Sequence, residues 1–222
     1  MKPKPYQLLI FDWDGTLIDS AAHIVACIHR VNAKVGLAPR TDAEIRNIIG
    51  LGLEEAFQHL FPQAQYALIQ AAAHEYKQQF FLHNRKPSEL FTGARETLEH
   101  LAEQGYWLAI ATGKSRQGLN QVLAETQLTA FFPITRCADE TFSKPHPRML
   151  EEILVDYDLP ASAALMIGDT EYDLQMAHNI KMDAAGVNYG VHGSERLLAL
   201  APRVCLDDIR ELPIWLDNLA KS

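Results

Sequence analysis

The chain has 222 residues, 48% hydrophobic and 22% charged, which is enough to bury the core of one large domain with room for an inserted module. Its formal net charge of −8 argues against nucleic acid or an anionic membrane surface as the main partner, and leaves open a small anionic ligand held by local charge. Cys27, Cys137 and Cys205 are too few and too widely spaced for a disulfide framework or a metal site; with no leader or membrane-span pattern, the expected setting is a reducing cytoplasm.

The apolar run Leu8-Leu9-Ile10-Phe11 is too short for a helix and reads as a strand buried on both faces. It leads into Asp12-Trp13-Asp14-Gly15-Thr16, with the two acids one residue apart. In extended chain such residues share a face, so Asp12 and Asp14 are expected together with Trp13 pointing away. Gly15 then turns the chain, leaving the acids at the carboxyl end of the strand, where open α/β sheets hold ligands. Like charges this close call for a neutraliser, and a divalent cation is the simplest one. Taken alone, the same stretch also reads as a strand ending in an Asx/Gly turn.

Beyond Thr16 the period becomes helical. Ile24, Val25, Ile28, Val31 and Val35 form one stripe, with Gly36 just past its end. Thr41-Asp42-Ala43-Glu44 has the capping-box form and opens a short helix that Gly50-Leu51-Gly52 interrupts. Leu53, Phe57 and Leu60 predict another short helix stopped near Pro62, and Tyr66 through Phe80 a longer one reaching about Asn84. Residues 19–86 thus read as an all-helical insertion, flanked by an α/β core of residues 1–18 and 87–222.

In that core a helix from about Gly93 to Gln104 precedes the strand Trp107–Ala111, which ends in Thr112-Gly113. A helix capped by Ser115 follows, then a weak strand near Ile134–Cys137 and the stiffened loop Lys144-Pro145-His146-Pro147. A helix through Met149 and Ile153 leads to the strand Ala163–Ile167, ending in Gly168-Asp169, with Asp173 one helical turn on. A small strand near Ala184–Val187, and two short helices around a strand at Arg203–Leu206, complete the chain. Alternating short apolar strands and helices predict a Rossmann-like parallel sheet with helices on both faces.

Three strand ends therefore offer carboxylates, a hydroxyl and exposed N–H groups, with Lys144 on a nearby loop. Carboxylates plus water suit Mg²⁺, which leaves room for a substrate phosphate; a carboxylate can attack phosphorus, given charge compensation. Each residue has a plainer reading: Asp12 and Thr112 as turn formers, Lys144 and Lys114 as solvated lysines, Asp173 as a helix-surface acid.

The four segments Asp12-Trp13-Asp14-Gly15-Thr16, Ala111-Thr112-Gly113-Lys114, Lys144-Pro145-His146-Pro147 and Gly168-Asp169-Thr170-Glu171-Tyr172-Asp173 resemble, in order, the signatures of the haloacid dehalogenase superfamily. The helical insertion resembles the capped subgroup that includes phosphoglycolate phosphatases and β-phosphoglucomutase. The resemblance implies a Mg²⁺-dependent phosphatase of small phosphorylated metabolites, with Asp12 as nucleophile and Asp14 as general acid and base. It implies a metal held by Asp12, the Asp14 carbonyl, Asp169 and Asp173, and a phosphoryl group held by Thr112, the Gly113 N–H and Lys144. Asp14 favours phosphoryl transfer over dehalogenation. Relatives often carry Ala-Gly where this chain has Ile180-Lys181, so either Lys181 takes a left-handed helix stop at a cost of about 1 kcal/mol or the turn differs.

Substrate choice is expected in the cap, with Arg46 as an anion contact and Gly50, Leu51 and Gly52 as a loop aimed at the site, or else as a plain interhelical turn. Joints are expected near Asp19-Ser20 and Lys86-Pro87-Ser88. A phosphomutase on the same scaffold and a phospho-accepting signalling module are the rival readings. Monomer and homodimer are both compatible with the sequence.

Overall fold

The computed structural model describes residues 4–82 and 89–221. Its centre is a six-stranded, all-parallel sheet built from β1 (Leu8–Phe11), β2 (Trp107–Thr112), β3 (Ile134–Cys137), β4 (Ala164–Gly168), β5 (Asp183–Val187) and β6 (Val204–Leu206). The spatial order β3-β2-β1-β4-β5-β6 is the Rossmann order, and the chain reverses its direction of growth between β1 and β4. Those two strands pair in register from Leu8↔Ala164 to Phe11↔Ile167, so the residues that follow each of them emerge side by side.

Alternation along β1 divides the core into two layers. Leu9 and Phe11 pack on one face with α5 (Ala94–Glu103), α6 (Arg116–Glu125) and α10 (Glu211–Leu219); Leu8 and Ile10 pack on the other with α7 (Arg148–Tyr157), α8 (Glu171–His178) and α9 (Ser194–Leu198). Every residue of β1 is fully buried, which is why the sequence shows a continuous apolar run there and no alternation of polar and apolar positions.

Between β1 and α5 lie α1 (Ala21–Val35), α2 (Asp42–Arg46), α3 (Leu53–Leu60) and α4 (Tyr66–Leu82), with no strand of the sheet among them. Their local signals act as read. Gly36 ends α1 at φ 77°, and Thr41 and Glu44 form a reciprocal capping box on α2. The four helices share a hydrophobic cluster of their own, including Ile28, Ile45, Phe57 and Ile69, to which the core adds Tyr172. The expected end of α4 near Asn84 and the joint at Lys86-Pro87-Ser88 fall outside the described residues.

At the end of α8, Lys181 takes φ 58°, so the turn keeps the left-handed geometry that a glycine would adopt without strain. All three cysteines are free, with Cys27 and Cys137 buried. Among the described residues no helix is long and apolar enough to cross a membrane.

Candidate active site

The carboxyl edge of the sheet collects the charged residues. β1 stops at Phe11, and the Asp12 N–H still bonds the Ile167 carbonyl (2.9 Å), which pins the start of the acidic segment to β4. Gly15, at φ 84°, then reverses the chain; a side chain there would run into the Asp169 carboxylate. Trp13 points into the hydrophobic layer and is fully buried, while Asp12 and Asp14 line one cavity together with Thr112 and Gly113. The shared face expected from two-residue spacing is retained through the turn.

Lys144 is the hub. Its Nζ lies 2.6 Å from Asp12 Oδ1 and 2.6 Å from Asp173 Oδ1, and all three residues are at most 2% exposed. Asp169, at the tip of β4, completes the cluster: it accepts hydrogen bonds from Thr16 Oγ1 (2.9 Å) and the Val191 N–H (2.8 Å). Asp173 is fixed by Thr170, whose N–H and hydroxyl both donate to Oδ2. Glycines permit this crowding. A Cβ at Gly190 would overlap Asp169, and one at Gly168 would overlap Asp173.

Burial disfavours the charged form of these acids. Desolvation, followed by the effects of Asp173 and Asp14, pushes Asp12 up to about 7 against the opposing pull of Lys144. Asp169 is also raised, first by burial and then by Asp12 and Asp173. For Lys144 the burial penalty is outweighed by Asp12 and Asp173, so its ammonium form is favoured.

Asp12, Asp169 and Asp173 each offer an oxygen within 4.8 Å of the others, and Asp12 Oδ2 is buried with no hydrogen-bond partner. An all-oxygen, all-anionic donor set with an orphaned carboxylate oxygen fits a hard divalent cation. The Asp14 side chain stands apart from this cluster. Its carboxylate accepts from Ser20 Oγ (2.6 Å) and is gripped by Lys114 Nζ at 2.8 and 2.9 Å.

The helical segment roofs the site. The cavity, about 70 Å³, is closed from above by Ile24, Ile28, Ile48, Leu51 and Tyr76. Gly50-Leu51-Gly52 lies directly over Gly113, so that a Cβ on Gly113 would come within 2.6 Å of the Gly50 and Leu51 carbonyl oxygens. The Gly52 N–H is tied to Ser143 Oγ at 2.7 Å. Arg46 is exposed at the end of α2 and is not among the residues lining the cavity. Its neighbour Asn47 is the residue the core grips. The Asn47 carbonyl accepts from Tyr172 Oη (2.9 Å) and lies 3.3 Å from His192 Nε2, and its Oδ1 accepts from Arg196 (2.6 Å), which is itself paired with Glu171.

Several of these partners escape sequence reasoning. Thr170-x-x-Asp173 carries a readable capping-box spacing. Ser20, Val191 and the Asn47 clasp carry no local signal, since their partners come from 6 to 149 residues away.

Comparison with known proteins gives the family. A model of the haloacid dehalogenase-like hydrolases matches residues 9–187. The chain belongs to that family. Among its curated relatives, the probable phosphatase IndB of Dickeya dadantii (strain 3937) is 34% identical, over 96% of this chain and 92% of that one. A phosphoglycolate phosphatase of Agrobacterium fabrum (strain C58 / ATCC 33970) is 30% identical, over 92% and 90%. A crystal structure of a hydrolase from Pseudomonas syringae superposes with a TM-score of 0.87 at 22% identity, over 98% of this chain and 99% of that one, which shows a shared fold. In this haloacid dehalogenase-like hydrolase the buried acids and Lys144 occupy the sheet edge where the fold presents ligands.

Proposed function

We propose that the protein is a Mg²⁺-dependent phosphatase that hydrolyses small phosphate monoesters through a phosphorylated Asp12. The observation that carries this reading is the buried Asp12–Lys144–Asp173 cluster, which meets the cavity through Asp12 and leaves one Asp12 carboxylate oxygen unpartnered. The similarity to proteins named phosphatase and phosphoglycolate phosphatase supports it.

Asp12, Asp169, Asp173 and the Asp14 carbonyl would hold the ion. When bound, Mg²⁺ would supply positive charge that keeps the acids ionised and offsets the phosphoryl oxygens. Asp12 attacks phosphorus while Asp14 delivers a proton to the departing alcohol oxygen; Asp14 then takes a proton from the water that cleaves the acyl phosphate. Thr112 and the Gly113 N–H hold the phosphoryl oxygens, and Lys144 compensates charge from below. Ser20 and Lys114 keep Asp14 aimed across the cavity. Residues 19–86 act as a cap that shuts out bulk water, with Asn47 and Gly52 among its points of attachment to the core.

The test is phosphate release from small esters with Mg²⁺ and with EDTA, with no bisphosphate primer, for the wild type and Asp12→Asn. Acid quenching should trap phosphate on Asp12, located by peptide mass. Full activity in Asp12→Asn would overturn the assignment.

A further inference from the structure

The walls of the cavity divide by origin. The charged residues lining it, Asp12, Asp14 and Lys114, all come from the core. Among the described residues, the helical segment contributes Ile24, Ile28, Ile48, Ile49 and Leu53 and, as its one polar side chain, Tyr76. Lys114 is already engaged: it holds both Asp14 oxygens and lies over the Phe80 ring at 4.8 Å. Arg30, with Nε and Nη2 buried and unpartnered inside the helical segment, does not line the cavity. Burial keeps the Tyr76 hydroxyl protonated well beyond neutral pH, so it offers an uncharged donor and acceptor.

A phosphoryl group seated on Thr112 and Gly113 places its ester oxygen at Asp14 and the rest of the alcohol against these isoleucines. A second anionic group on that alcohol would lose its hydration there and find no free cation among the described residues that line the cavity. An apolar carbon chain would exchange water for isoleucine and leucine surface. We propose that the substrate of this site is the phosphate ester of a compact, uncharged, largely apolar alcohol, with room for one hydroxyl at Tyr76, and that esters bearing a carboxylate are disfavoured. The inference rests on the phosphatase reading above and narrows its substrate class.

The experiment compares kcat/KM, with Mg²⁺, for methyl, ethyl and propyl phosphate and for 2-phosphoglycolate, with acetyl phosphate as an activated control. Each added methylene should raise kcat/KM about fourfold until the cavity is full. Propyl phosphate should exceed 2-phosphoglycolate by at least about tenfold. Leu53→Ser, at a half-buried wall position, should flatten the methylene series. Ile28→Lys should shift preference toward 2-phosphoglycolate, and Leu53→Lys tests the same point should Ile28→Lys not fold. A wild-type preference for 2-phosphoglycolate, or a flat methylene series alongside brisk acetyl phosphate turnover, would overturn the substrate class and leave the phosphatase reading intact. No phosphate from any of these esters or from acetyl phosphate would overturn both.

Discussion

The floor and the roof of the cavity are built on opposite physical principles. The floor buries three acids and a lysine at the tips of two adjacent strands, an arrangement that costs stability unless every charge is compensated. The roof turns mostly hydrocarbon toward the cavity and is fastened to the core through polar contacts at its margin, at Asn47 and at Gly52. On the proposed phosphatase reading, the reaction would belong to the sheet edge, where donors and acceptors are already placed, and selection and water exclusion to the helical segment.

Substitutions can break this division at graded cost. Asp12→Asn should lower kcat by about 10³-fold or more, because the proposed nucleophile and one proposed ligand of the ion are lost together, while the protein stays folded, because the amide keeps the shape and Lys144 keeps Asp173; steady-state phosphate release with a melting curve checks both halves. Lys144→Met should abolish activity and, in EDTA at neutral pH, cost about 3–5 kcal/mol of unfolding free energy, since Asp12 and Asp173 would lose their shared cation; denaturant titration measures it. Mg²⁺ should recover part of that stability, and a variant as stable as wild type in EDTA would contradict the hub role.

Gly113→Ala attacks the seam between floor and roof. Its Cβ meets backbone oxygens of Gly50 and Leu51 at 2.6 Å or less, and backbone cannot swing aside as a side chain can. We expect kcat/KM to fall about 10²-fold with little change in melting temperature, because a misplacement near 1 Å is costly at a reacting centre. Arg196→Ala removes one strut of the clasp on Asn47 and leaves the floor intact; it should raise KM by less than about tenfold with kcat nearly unchanged.

The smallest effect concerns pH. His192 packs edge-on against Tyr172, and burial, then the Arg196 charge, holds its pKa below 6.5 against the weaker opposing effects of the Asn47 carbonyl, Glu171 and Asp173. The unfolded chain therefore binds the proton more readily. Stability from this group is complete above about 6.5 and is lost as pH falls through the folded-state value. His23, lowered for the same leading reason, adds to the trend. Melting temperature should decline on acidification below about 6.5, less steeply in His192→Gln; identical slopes would remove His192 from the account.

Much of the floor was legible in the chain because its signals are local. Asp12, Thr112 and Asp169 each follow a buried apolar run, and a parallel sheet presents all such run ends at one edge. The helical insertion was legible through its capping box, its glycine stops and its 3.6-residue stripes. What came only from tertiary structure is the set of relations between distant segments: Lys114 on Asp14 across 100 residues, Lys144 between Asp12 and Asp173, and Asn47 held by Tyr172 and Arg196. Periodicity and turn chemistry record how the backbone runs over a few residues. Which charges meet in the dark of the cavity depends on how whole elements pack, and no short window of sequence contains that.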